Sequence, residues 1–85
     1  MIRNILKANS IGYRQGFIEV IGNIHPNSVN IETWNINPDR NIEELSLDDE
    51  EIQGEDFCGN TEIELNIDQV KELIRMLEKE IEKLH

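Results

Sequence analysis

The sequence has one cysteine, two prolines and four aromatic residues among its 85 positions. A single cysteine excludes an internal disulfide and is typical of a protein in a reducing compartment. No stretch approaches the roughly 20 apolar residues of a membrane-spanning helix. Residues 1–9 contain no apolar run of signal-peptide length. The sequence therefore predicts a soluble, cytoplasmic protein, and its length predicts one small domain, residues 1–85.

Motifs for catalysis and for cofactor binding are also missing. One cysteine and two histidines, without ligand spacing, do not make a zinc site. The chain has no glycine-rich phosphate loop, no dinucleotide-binding fingerprint and no Ser–His–Asp pattern. The acidic neighbours Glu55 and Asp56 disfavour the thiolate that Cys58 would need as a nucleophile. We therefore expect no enzyme activity, no cofactor and no metal.

The net charge of −10 lies in one section of the chain. Residues 39–64 hold eleven acidic side chains against Arg40 alone, whereas the sections before and after sum to +1 and −1. Such a block repels nucleic acid and anionic membranes and attracts basic surfaces. We therefore expect a protein partner with a basic surface, and no direct nucleic-acid or membrane partner. The predicted contact consists of six acids within nine residues: Asp48, Asp49, Glu50, Glu51, Glu55 and Asp56.

Two alternatives exist for this acidic run. The acids could serve only to keep the protein soluble. They could also bind calcium, because Gly54 takes the sixth position of an EF-hand loop that starts at Asp49. The twelfth position is then Asn60, where such a loop needs a bidentate Glu, so the calcium site is disfavoured. Ile52 and Phe57 predict that the run is anchored to the domain.

The clearest secondary structure lies at residues 61–84. Residues 61–65 alternate polar and apolar side chains, as a half-buried strand does. Asn66 and Gln69 then form a capping-box pattern that predicts the start of a helix. Apolar residues follow at spacings of three and four, which is typical of a helix with one buried face: Ile67, Val70, Ile74, Leu77, Ile81 and Leu84.

The helix has two possible partners. We expect it to lie across a sheet, with Leu77 buried in the core. The same stripe also has β-branched residues and leucines at the heptad positions of a parallel two-stranded coil, although only about two and a half heptads are present. Intramolecular packing and helix-mediated dimerisation therefore both remain open.

Residues 17–24 and 29–36 are predicted to form a hairpin around the turn residues 25–28. A bend at Pro26 and Asn27 would pair Val20 with Thr33. Residues 45–47 predict a brief third strand. In residues 1–16, Ile2, Ile5 and Leu6 could form one turn of a short helix, and Ile11 and Tyr13 could begin an edge strand. The predicted fold class is α+β: a small antiparallel sheet of three to four strands covered by one long C-terminal helix.

One face of this hairpin has no partner in a domain with a single helix. Exposed apolar patches usually mark interfaces, and tryptophan is a frequent anchor in them. The sequence therefore predicts a homodimer through this face, with Trp34 also contacting the basic partner. The predicted interface consists of Phe17, Ile21, Trp34 and Ile36.

In charge and length, the chain resembles the small acidic proteins that phages and plasmids use to block host nucleic-acid enzymes. These include anti-restriction and anti-CRISPR proteins, some of which are DNA mimics. The resemblance implies an inhibitor that occupies the basic groove of a nucleic-acid-binding enzyme, since duplex DNA carries about one negative charge per 1.7 Å of axis. The second hypothesis is a homo-oligomeric structural or adaptor protein, assembled through the helix or the Trp34 face.

Overall fold

A computed structural model describes residues 3–84 of the chain. It contains a four-stranded antiparallel sheet followed by one α-helix, which confirms the predicted α+β class. The helix, α1, spans Ile67–Glu82. The strands lie side by side in chain order: β1 (Ile5–Ala8), β2 (Gly16–Gly22), β3 (Ser28–Ile36) and β4 (Phe57–Asn66). The N-terminal segment does contain an edge strand, but it lies at Ile5–Ala8, where a helical turn is the predicted alternative, and Tyr13 lies in a 3-10 turn rather than in a strand.

The β2–β3 hairpin differs from its predicted register. Val20 faces Ile31 rather than Thr33, so the predicted pairing is wrong. The connection is a longer turn in which Asn23 and Asn27 have φ angles of 62° and 59°. Asparagine tolerates this left-handed region better than most residues. Because the shift along β3 is two residues, every side chain keeps its predicted face.

Strand alternation divides the sheet into two faces of different character. The core face carries Phe17 and Ile36, together with all five charged side chains of the strands: Lys7, Glu19, Glu32, Glu62 and Glu64. The opposite face, which we call the open face, has no charged residue. Its apolar side chains include Leu6, Ile18, Val20, Val29, Ile31 and Ile63.

The buried core lies on the core face, beneath the chain that connects β3 to β4. We call this connection the covering segment (residues 37–56). Ile42 and Leu45 of this segment are buried with Phe17 and Ile36, which are only 2% and 1% exposed. Leu45 and Leu47 lie outside any strand, so the predicted third strand is wrong. Half-buried residues complete the cluster: Ile5, Trp34, Leu47, Ile52 and Phe57. The predicted anchoring of the acidic run is thus confirmed.

Helix α1 begins as predicted but packs differently. The Asn66 side chain accepts the Gln69 N–H at 2.8 Å, and the Gln69 side chain accepts the Asn66 N–H at 2.9 Å. No described residue of α1 is buried; Val70 and Leu73 are half-buried, and Leu77 is 56% exposed. The expectation that Leu77 lies in the core is therefore wrong. The covering segment supplies the apolar side chains that complete the core face, so the helix is not needed there.

Candidate binding surface

Hydrogen bonds to backbone carbonyls hold the covering segment in place, some from residues outside it and one from its own Arg40. The Lys7 ammonium group donates to the Glu43 carbonyl at 2.8 Å, and the Arg40 guanidinium donates to the Glu51 carbonyl at 2.9 Å. The buried Gln15 amide donates to the carbonyls of Asn37 and Arg40. The Lys7 and Gln15 side chains therefore bind carbonyl oxygens of the segment and not its carboxylates.

Three of the six predicted contact acids are used in turns. The Asp48 carboxylate accepts the Ser46 hydroxyl at 2.8 Å, which lowers the pKa of Asp48. Asp49 accepts the Glu51 N–H at 3.0 Å. Asp56 accepts the Gln53 N–H at 2.8 Å and lies 3.6 Å from the Arg40 guanidinium. These acids have a local structural role as well as a charge.

The other three acids of the predicted set are more accessible. Glu50, Glu51 and Glu55 are exposed, and no side chain of residues 3–84 hydrogen-bonds or ion-pairs with their carboxylates. They stand on a segment whose backbone is fixed by the core and by its turns. An ordered, uncompensated group of carboxylates can receive lysine or arginine side chains with little loss of conformational freedom.

Two of three glutamates in a cross-strand row add to the acidic surface on the core face, whereas the third, Glu19, is buried and bonded to Arg3. Glu19, Glu32 and Glu62 are direct cross-strand neighbours on β2, β3 and β4. Asn60 donates to the Glu32 carboxylate at 3.1 Å, and Asn30 donates to that of Glu62 at 3.4 Å. Sequence reasoning missed this row as a site, because it becomes visible only once the register between β3 and β4 is known.

The predicted Trp34 surface does not exist as an exposed patch. Phe17 and Ile36 belong to the buried core, while Trp34 and Ile21 are half-buried. The physical reason is that the covering segment packs on this face and removes its apolar side chains from water. The premise that these four residues lack partners is therefore wrong, and so is the interface that rested on it.

A second polar cluster ties the β2–β3 turn to β4. The His25 Nδ1 atom lies 2.7 and 2.8 Å from the two Glu64 carboxylate oxygens, and the Ser28 hydroxyl donates to Glu64 at 3.0 Å. The hydrogen bond with His25, followed by that with Ser28, lowers the pKa of Glu64. The acceptors within reach of the Ser28 hydroxyl are the His25 carbonyl and the Glu64 carboxylate, and not the imidazole, so the three residues do not form a nucleophile–base pair.

Cys58 is exposed at an irregularity of β4, where the pairing passes from Asn35–Gly59 to Ile36–Phe57. Within residues 3–84, no group of three or more His, Cys, Asp or Glu side chains is placed so that it could hold a metal ion. The acidic side chains thus form a surface rather than a converging set of ligands.

Comparison of the chain with known protein families, with characterised proteins and with solved structures finds no match. No helix in the described part of the chain has the length and apolar character needed to span a membrane. Function is therefore inferred from the charge, burial and geometry of the surface.

Proposed function

We propose that the protein is a non-enzymatic binding protein whose covering segment docks on a basic surface of a partner protein. The observation that carries the proposal is the group formed by Glu50, Glu51 and Glu55. Their carboxylates are exposed and have no ion-pair partner within residues 3–84, on a segment anchored by Ile42 and Leu45. Such a group favours fast, salt-sensitive association with a basic surface.

The partner class that fits this surface best is a nucleic-acid-binding enzyme. Duplex DNA carries about one negative charge per 1.7 Å of axis, and Lys/Arg sites that receive phosphates also receive carboxylates. Glu32 and Glu62 add negative charge on the same side of the sheet. Occupation of a basic groove would block the enzyme, which is the inhibitory, DNA-mimicking role known for small anti-defence proteins such as anti-CRISPR proteins.

A capture experiment tests the proposal. The immobilised wild-type chain is exposed to a bacterial lysate at low salt, and duplex DNA is then used to displace the retained proteins. One variant removes three charges from the covering segment, and a matched control removes three from the helix. The substitutions are Glu50→Gln, Glu51→Gln and Glu55→Gln in the first, and Glu72→Gln, Glu78→Gln and Glu82→Gln in the second.

We expect the wild type and the helix control to retain the same DNA-displaceable proteins, and the covering-segment variant to lose them. Added salt should weaken the wild-type interaction, because screening acts on exposed charge pairs. Equal capture by the two triple variants would show that the covering segment is not the binding site.

A further inference from the structure

The open face has the character of a covered face, although several of its apolar side chains are exposed and none is buried. In a sheet with one face on the core, charged residues normally mark the face exposed to water. Here every charged residue of the strands lies on the core face. The uncharged face is the one left open, with Leu6 and Ile63 exposed at 61% and 63%.

The helix presents a second uncovered apolar surface. Its stripe includes Ile67, Ile74, Leu77 and Ile81, and each of these side chains is more than half exposed. An amphipathic helix owes most of its stability in proteins to the packing of its apolar face. Both the stripe and the open face therefore need a partner.

Helix α1 continues directly from the last strand of the sheet. Asn66 is at once the last residue of β4 and the N-cap of α1, so no loop separates the two elements. The reciprocal Asn66–Gln69 hydrogen bonds close this junction. Among the described residues of α1, only Val70 and Leu73 are half-buried, and both lie in the first half of the helix.

The chain exposes more surface than a compact monomer of its mass, and the excess has the size of a dimer interface. A folded monomer of 9.9 kDa exposes about 5,200 Å² by the usual scaling, whereas this chain exposes 6,807 Å². The excess, about 1,600 Å², matches the roughly 1,000–2,500 Å² that each partner loses in an obligate homodimer. The radius of gyration, 14.5 Å, likewise exceeds the value of about 12 Å for a compact chain of this length.

We propose that two copies of the chain form a symmetric dimer in which α1 of each copy packs on the open face of the other. The 16-residue helix is about 24 Å long, and the nine residues of β3 span about 30 Å. The helix is therefore long enough to cross most of the face. Exchange of one element between identical chains gives a closed, two-fold contact.

The charge distribution is compatible with this contact. The open face has no charged residue, and the ten net negative charges lie mainly in residues 39–64, which run from the covering segment into β4. The two acidic surfaces would point away from each other, so like-charge repulsion across the contact is small. The proposal is independent of the proposed function, because it concerns the opposite face of the sheet.

Sedimentation equilibrium of the full chain tests the dimer. We expect the wild type at micromolar concentration to sediment with twice the 9.9 kDa mass of one chain. Ile63→Glu on the open face and Leu77→Glu on the helix should each weaken association by about 100-fold or more, because each would bury an unpaired charge. Ile24→Glu is the matched control, since Ile24 is also exposed but lies in the β2–β3 turn, outside both surfaces.

Circular dichroism confirms that each variant is folded; both altered side chains are exposed in a single chain, so the monomer should tolerate them. A monomeric wild type at high micromolar concentration would overturn the proposal. The proposal would also be overturned if Leu77→Glu dissociated the dimer and Ile63→Glu did not. That result would indicate a helix–helix contact that leaves the open face uncovered.

Discussion

Glu32 faces Glu62 directly across β3 and β4, so that two carboxylates occupy one cross-strand position. Glu19 faces Glu32 from the other side, but Arg3 compensates its charge with two hydrogen bonds of 2.9 and 3.0 Å. Among residues 3–84, the side chains that donate to Glu32 and Glu62 are the amides of Asn60 and Asn30. Like charges directly opposite each other destabilise a sheet, so this pair concentrates negative charge at the expense of the fold.

The first prediction concerns that pair. Glu62→Gln removes the like-charge contact and keeps a similar shape, so the free energy of unfolding should rise by about 0.2–1 kcal/mol. Urea denaturation at neutral pH measures the change. Glu78→Gln, on the exposed helix, is the control and should leave the midpoint nearly unchanged. A less stable Glu62→Gln variant would contradict the interpretation.

The second prediction concerns pH. The Arg3 hydrogen bonds lower the pKa of the Glu19 carboxyl, while its burial acts in the opposite direction. A group whose folded pKa is lowered stabilises the fold above its unfolded value, about 4.3 for Glu, and loses this contribution as the pH falls through the folded pKa. Glu19→Gln should therefore be less stable than the wild type at pH 6, and the difference should shrink below about pH 4. Urea denaturation across pH gives the comparison; a difference independent of pH would contradict the role of the ion pair.

The third prediction distinguishes the two apolar clusters. Leu45→Ala should lower the free energy of unfolding by about 2–5 kcal/mol, as for other buried leucines. Leu77→Ala should change it by less than about 0.5 kcal/mol in dilute solution, because surface substitutions have small effects. Thermal denaturation at two protein concentrations measures both. The melting temperature of the wild type should rise with protein concentration, and that of Leu77→Ala should rise less, since association stabilises only the chain that dimerises.

The fourth prediction concerns a close backbone approach. Gly16 is buried, and a Cβ atom at this position would overlap the carbonyl oxygen of Trp34. Gly16→Ala should therefore force β2 and β3 apart and lower the melting temperature. Gly12→Ala is the control, because a Cβ there meets nothing within 4 Å. Equal melting temperatures for the two variants would contradict this account of the β2–β3 contact.

The parts of the fold that sequence could predict are those with a local signal. The Asn66–Gln69 capping box marks the start of α1 through neighbouring residues alone. Polar–apolar alternation assigns strand residues to faces and survives the two-residue error in register. The apolar residues Ile52 and Phe57 next to the acidic run predict its anchoring, and both pack against the core.

Other features depend on contacts between distant residues. Ile42 and Leu45 enter the core from turns, where no periodicity marks them as buried. The hairpin register depends on the positive φ angles of Asn23 and Asn27, which the sequence permits but does not require. The helix stripe indicates that one face needs cover, without indicating which surface provides it.

The central claim is that this cover is the open face of a second copy, and an isotope-filtered NOE experiment tests it most directly. A sample is prepared from equal amounts of chain with labelled Ile, Leu and Val methyl groups and unlabelled chain. The account predicts cross-chain NOEs between the Leu77 methyl groups of α1 and the Ile31 and Ile63 methyl groups of the open face. If these methyl groups show no NOE between labelled and unlabelled chains, the claim is wrong.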